Sequence, residues 1–276
     1  MLSENKIEKI EVNLKLLNYV CEKLEVDHFT ANGIIMGGKV LINDTVCTSV
    51  NYEIRANDTI KIKYVMKKYV TRSGYKLEKA LSEFEISVSE KVCMDIGASE
   101  GGFTDCLIQK GAKRIYAVDV AYGILNWKIR SNKIVIPIER MNARKINKDM
   151  INEKCDIITV DVSFISTKLI LPILKDMLNK DGYFIILYKP QFELPAYLLG
   201  KNGNPINNIE VVDNIYQYIE FLFKKEIFIT NISYSPIIGN NGNIEYLMLA
   251  SFNNRQSVNY NTILCCVQQA YTELRK

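Results

Sequence analysis

VCMDIGASEGGFTDCL, residues 92–107, is the stretch on which the reading of this 276-residue chain turns. It sets an apolar strand, an acid and a run of small residues in front of a helical pattern. A turn that bare permits close backbone approach and positive φ at Gly97, Gly101 and Gly102, and the helix behind it offers free N–H groups to an anionic moiety. In a doubly wound sheet the first strand–helix turn is where a ligand lies. A cofactor is therefore expected against this segment, although a glycine-rich turn alone also fits an ordinary tight connection.

Outward from that turn, strands and helices alternate. KVCMDIGA leads to a helix from Phe103, RIYAVDV to one from about Ile124, and IVIPIER follows. CDIITVDV then leads to KLILPILKDML, and YFIILYK to NIEVVDNIYQYIEFLF. Five near-continuously apolar strands with helical crossovers predict a parallel sheet covered on both faces, an α/β fold. EIFITNISYS and NIEYLMLASF break the rhythm, since the short turn-rich PIIGNNG between them makes them antiparallel neighbours. A Rossmann-like sheet closed by a C-terminal antiparallel hairpin is the arrangement of methyltransferases that use S-adenosylmethionine, whereas nicotinamide-binding sheets usually stay parallel. A final helix is expected over about residues 261–275.

The first 65 residues differ in character. KLLNYVCEKL has helical spacing, a second short helix is expected from Thr30 to Met36 with Thr30 as its cap, and GGKVLINDTVCTS and DTIKIKYV read as small strands. They predict a compact α+β module over residues 1–65, a basic linker over 66–72 and the main domain over 73–276.

Composition narrows the chemistry. At 48% apolar the chain has enough material for real cores. No run reaches the ~18 apolar residues of a membrane span, and the charged start has no apolar signal region, so the expected location is the cytoplasm. Seven scattered cysteines without a CxxC pair fit reduced thiols, and with His28 as the sole histidine no metal site is expected. Proton transfer in the main domain must then fall to Lys, Asp, Glu, Tyr or Cys. Charge is unevenly spread: residues 110–145 carry nine Lys and Arg against two acids, and residues 1–65 carry eight against nine. Such a stretch is either a solvated surface or a path for a phosphate backbone.

Several strand ends carry candidate chemistry. Asp119 closes YAVDV, where an acid can hold both hydroxyls of a ribose. Nucleotide and S-adenosylmethionine sites both use such an acid, so the pair with the glycine turn does not choose between them. Asp161 ends the fourth strand, Lys189 the fifth, and Glu245 sits in the final hairpin. Their convergence at one rim is a catalytic hypothesis, set against the plainer reading of ordinary strand-end charges.

YVTRSGYKLEKAL, DIGASEGGFTDCLIQKGAKRIYAVDVAYGILNW, DVSFIS, KPQFE and SPIIGNNGNIEYL closely resemble, in this order, the motifs of the TlyA family, bacterial proteins called both hemolysins and ribosomal RNA 2′-O-methyltransferases. The likeness covers nearly all of residues 66–250. It implies the FtsJ-like methyltransferase fold, S-adenosylmethionine as cofactor, ribosomal RNA or a ribosomal subunit as partner, and no membrane. It further implies a Lys-Asp-Lys-Glu tetrad of Lys76, Asp161, Lys189 and Glu245. The first 65 residues resemble the family's small RNA-binding module through GGKVLIND. They depart from it at His28-Phe29-Thr30, where relatives usually show Ser-Arg, and LPAYLLGKNGNPINN after KPQFE departs as well.

On this reading Lys189 takes the proton of a ribose hydroxyl while Asp161 and Glu245 hold the lysines and the hydroxyl in place, or the tetrad acts mainly by orientation. Asp95, Gly97, Ala98, Ser99, Gly101, Gly102 and Phe103 are expected around the methionine end of the cofactor and Asp119 on its ribose. Asn142 is expected near the adenine, with Ser163 and Phe164 lining the pocket. Trp127 is expected to pack inside. An RNA path is expected along Lys67, Lys68, Arg72, Lys113, Arg114, Lys128, Arg130, Arg140 and Arg144, with Lys76 and Lys79 nearby and Tyr69 and Tyr75 stacking on bases. The rival readings are a membrane-active protein, for which no apolar span speaks, and a binding protein of the same fold that has lost catalysis.

Overall fold

The computed structural model describes residues 14–64 and 68–275. The chain divides after Lys68 into two compact units. Lys67, expected on the RNA path, lies outside the described residues.

The first unit packs α1 (Leu16–Leu24) and α2 (His28–Met36) with a three-stranded antiparallel sheet of β1 (Val40–Ile42), β2 (Thr45–Val46) and β3 (Ile60–Ile62), in the order β2-β1-β3. Leu16, Val20, Ala31, Ile34, Ile35 and Val40 are the heart of its core. Thr30 is not the cap of α2. Asp27 is, and its carboxylate accepts the Thr30 N–H at 2.7 Å, so the helix starts two residues early. Asn43 and Asp44, both at positive φ, make the tight turn between β1 and β2.

The second unit holds a seven-stranded sheet. In chain order its elements are α3 (Gly74–Glu83), β4 (Val92–Ile96), α4 (Gly102–Gln109), β5 (Arg114–Val118), α5 (Trp127–Arg130), β6 (Val135–Ile138), β7 (Cys155–Val160) and α6 (Leu171–Leu174). β8 (Leu178–Tyr188), α7 (Pro190–Glu193), α8 (Asn208–Phe223), β9 (Phe228–Tyr234), β10 (Tyr246–Ser251) and α9 (Tyr260–Leu274) follow. The strand order is β6-β5-β4-β7-β8-β10-β9. β4 to β8 run parallel, and β10 lies antiparallel between β8 and β9. No helix among the described residues is long and apolar enough to cross a membrane.

Alternation along the strands sends neighbours to opposite faces. Cys93, Ile115, Ile157 and Ile185 meet α3, α4 and α5 through Leu77, Leu107 and Ile129. Met94, Tyr116, Ile158 and Ile186 meet α6, α8 and α9 through Leu171, Ile215 and Val267. Two elements differ from expectation. KLILPILKDML is one helical turn between two 3₁₀ turns, because Pro172 supplies no N–H to continue a ladder. Residues 69–72 are no linker, since Tyr69 is buried against Leu77 and Phe103 and the Val70 N–H donates to Asp105 at 2.8 Å. Tyr69 therefore cannot stack on a base. Its ring sits edge-on to Tyr75, 5.2 Å away.

Asp95 is fully buried and ties three elements together: it accepts hydrogen bonds from Thr104 of α4 at 2.6 Å and Thr159 of β7 at 2.8 Å. Burial pushes its carboxyl up to about 6, against the opposing pull of the two hydroxyls. A raised carboxyl favours the fold while protonated, so its contribution is complete below about pH 4 and is lost as pH rises through about 6. Asp95→Asn removes this titration. Relative to the parent, the variant should gain about 3 kcal/mol in urea-denaturation stability between acidic and neutral pH, from roughly two pH units at 1.36 kcal/mol each. A pH-independent difference between the two proteins would refute this account.

Candidate active site

Beyond β4 the chain turns through Gly97 at φ +84, Ser99 at +51 and Gly101 at +97 before α4 begins. A side chain at Gly97 would place Cβ 2.3 Å from the Asp161 carbonyl oxygen, so this turn and the end of β7 pack backbone on backbone. At Gly102 a Cβ would fall 1.9 Å from Ser73 Oγ and 2.1 Å from Thr71 Oγ1. The segment before α3 thus closes over the turn from the other side, with those two hydroxyls 2.7 Å apart.

The ends of β5, β7 and β8 and the start of β10 surround this turn. Asp119 accepts the Ser99 N–H and the Ala121 N–H, each at 2.8 Å, which fixes the carboxylate beside the turn. Lys189 Nζ lies 2.6 Å from Asp161 Oδ1 and donates to Ser163 Oγ at 3.0 Å. Lys76, on the first turn of α3, meets Glu245 Oε2 at 2.5 Å. Lys76, Lys189 and Glu245 are 7%, 9% and 3% exposed. Charges this deep are tolerated only when paired, and each amine has its own carboxylate from a separate element.

Two adjoining cavities open on this rim. The larger, about 750 Å³, is lined by all four of these charged groups together with Gly97, Ala98, Ser99, Gly102, Phe103 and Arg72. The smaller, about 390 Å³, has mostly apolar walls including Ile96, Val118, Ile124 and Ile170, with Asp119 and Asn142 among its polar residues. Gly97, Ser99, Asp161, Ser163 and Phe164 border both.

Most of the residues expected at the site meet here, with exceptions. Asp95 faces neither cavity, being sealed beneath α4. Gly101 packs against Leu125 and Ile129 rather than lining the space. Arg114 and Arg130 are engaged by Glu153 and Glu139 in ion pairs and are not free cations. Trp127 does not pack inside: it is 76% exposed. Lys113, Lys128, Arg140 and Arg144 are exposed. Thr71, Ser73, Gln191 and Phe192 also line the larger cavity without having been singled out, although all four fall inside the quoted TRSG and KPQFE motifs. Phe164, at φ +63 and 91% exposed, rests 5.1 Å from the Phe192 ring.

The arrangement suits a cofactor with an aromatic base, a ribose and an amino-acid end. The apolar slot has room for a flat base, Asp119 borders it as an acid able to bind ribose hydroxyls, and Gly97 borders both cavities. Such a site suits S-adenosylmethionine, and it is the family match that makes the chain a methyltransferase using that methyl donor. Residues 69–252 match the FtsJ-like methyltransferase model, and the chain belongs to that family. Hemolysin A of Brachyspira hyodysenteriae is 44% identical over 222 residues, covering 79% of this chain and 90% of the relative. The 16S/23S rRNA (cytidine-2′-O)-methyltransferase TlyA of Mycobacterium tuberculosis is 33% identical over 221 residues, covering 78% and 81%. A solved structure from Streptococcus thermophilus, described as a hemolysin, superposes with a TM-score of 0.74 at 33% identity over 96% of this chain and 98% of that one.

Asp119→Asn should weaken S-adenosylmethionine binding by about tenfold or more in calorimetric titration, the scale of one hydrogen bond to a charged acceptor. Unchanged affinity would remove Asp119 from the cofactor site.

Proposed function

We propose that the protein methylates a ribose 2′-hydroxyl of ribosomal RNA. The observation that carries this reading is the pair of amine–carboxylate contacts, Lys76 with Glu245 and Lys189 with Asp161, on one cavity wall beside the glycine turn. The 16S/23S rRNA activity named for a relative that matches four-fifths of its length supports it.

When bound, S-adenosylmethionine supplies an electrophilic methyl group. A ribose hydroxyl is a weak nucleophile at neutral pH, so the chain must orient it and accept its proton. Lys189 first releases its own ammonium proton to solvent, and its Nζ then takes the hydroxyl proton as the oxygen bonds to the methyl carbon and that carbon's bond to sulfur breaks. Asp161 and Ser163 hold the amine in place, and the Asp161 carboxylate stabilises the ammonium that forms. Lys76 and Glu245 line the same cavity and fix the sugar. Arg72 lines the same cavity, where its positive charge suits a flanking phosphate. The first unit serves as an RNA-binding module, and such a substrate places the protein in the cytoplasm.

Incubating the protein with tritiated cofactor and ribosomal RNA from a strain lacking it, then mapping the label, tests the reading; label on a base or on protein would refute it. Lys189→Arg keeps charge but cannot act as base. It should lower methyl transfer by about a hundredfold or more with cofactor affinity intact, and full activity would leave Lys189 an orienting role only. Lys76→Met strands a buried carboxylate and should cost about 3–5 kcal/mol. Adding Glu245→Gln should restore most of that stability in urea denaturation while methyl transfer stays lost, and recovered activity would exclude the pair from the reaction.

A further inference from the structure

The stretch from the end of β5 to the first residue of α5 presents four large apolar side chains to solvent within eight residues. Val120, Tyr122, Ile124 and Trp127 are 67%, 66%, 41% and 76% exposed. Their neighbours Leu125 and Ile129 are buried. The loop is nonetheless fixed along its length. Ala121 N–H donates to Asp119 and Gly123 N–H to Glu139, each at 2.8 Å, and Asn126 N–H to the Glu100 carbonyl at 3.2 Å. Asn126 also caps the turn that carries Trp127, accepting the Lys128 N–H at 2.9 Å. The aromatic rings are thus displayed from a pinned backbone, and their exposure is a property of the fold.

The surroundings identify the kind of partner. The Arg140 guanidinium lies 4.3 Å from the centroid of the Tyr122 ring. Lys128, Arg140 and Arg144 are exposed, and no carboxylate among the described residues lies within ion-pair distance of them. The two acids of the segment 110–145 are both used internally: Asp119 holds Ser99 and Ala121, and Glu139 holds Arg130 and Gly123. Exposed rings accompanied by cations, with Arg140 over Tyr122 and Lys128 next to Trp127 in the chain, match single-stranded nucleic acid better than the apolar face of a protein. The patch also continues into the cofactor slot, whose wall includes Val120 and Ile124.

We propose that this loop is a stacking platform for unpaired RNA next to the active cavity: Tyr122 and Trp127 take bases on their faces while Lys128, Arg140 and Arg144 take phosphates. The proposal rests on RNA being the substrate. It adds a binding surface outside the four reacting residues and the cofactor slot, since neither ring lines either cavity.

Trp127 is the only tryptophan of the chain, so its fluorescence reports on this surface alone. The full chain is titrated with an unstructured oligoribonucleotide of about 20 nucleotides, longer than a usual single-strand site. Quenching of the emission is expected, and Trp127→Ala and Tyr122→Ala should each weaken binding roughly fivefold to hundredfold. Trp127→Phe should retain much of the affinity, and Lys128→Gln and Arg144→Gln should each lower the salt dependence by about one. S-adenosylmethionine affinity and melting temperature should not move in the two alanine variants. RNA binding that leaves the emission and both alanine variants at parental values would overturn the platform while leaving the RNA reading intact. Affinity lost for whole ribosomal subunits but kept for naked RNA would assign the patch to a protein partner and overturn it as well. A parent that labels no ribosomal RNA at all would instead bring down the underlying reading.

Discussion

Two lysines lie within one cavity wall, and the site exists only because each meets a carboxylate there. An ammonium removed from water costs several kcal/mol, and attraction offsets that loss only where geometry is close and the remaining positions are satisfied. The contacts of 2.5 Å and 2.6 Å meet the first condition, and Ser163 helps to meet the second. The requirement also shapes the fold. Pairing Lys76 with Glu245 fixes α3 to the start of β10, elements 169 residues apart in the chain, and pairing Lys189 with Asp161 joins the ends of β8 and β7.

Close approach of backbone to these groups then restricts which residues can stand nearby. A Cβ at Gly239 would lie 2.4 Å from Glu245 Oε1, as one at Gly97 would meet the Asp161 carbonyl. The loop before β10 and the turn after β4 are thus bare for the same reason: each presses against a member of an amine–carboxylate pair. The glycines of the turn thus serve the packing of the paired groups as well as leaving bare backbone along the cavity.

How much of this was legible follows from where each residue stands relative to a strand end. Asp119 and Asp161 come immediately after their last paired residues, so the parallel topology put them on the rim, and apolar runs were enough to find it. Asp95 comes one residue before its strand ends, shares the face of Cys93, and is therefore covered by α4. Two positions in register separate the rim acid from the buried one, and strand boundaries are not readable to that precision. Trp127 was misjudged for a related reason. Leu125 and Ile129, four apart, already fill the inward face of this short stretch, and the tryptophan falls on the other side. Lys76 was reached through a motif, because helical spacing shows the apolar face but not how deeply a lysine beside it is covered.

Behind the larger cavity, a second carboxylate connects its walls without touching the space. Glu193 accepts hydrogen bonds from Ser166 Oγ at 2.5 Å and from Thr167 N–H and Oγ1 at 2.7 Å each, which fastens the end of α7 to the loop after Asp161. Thr167 is in turn 2.7 Å from Tyr218 of α8, and Asn214 of the same helix bonds both the Glu193 carbonyl and the Tyr188 hydroxyl. Lys189 and Ser163 therefore sit on two segments clamped from the rear by a largely buried network. On the proposed reading, in which Lys189 meets a hydroxyl, such support limits rearrangement, because fixed dipoles need no reorganisation when charge shifts. The geometry of the rim is thus set as much by groups remote from the chemistry as by the four residues that face it.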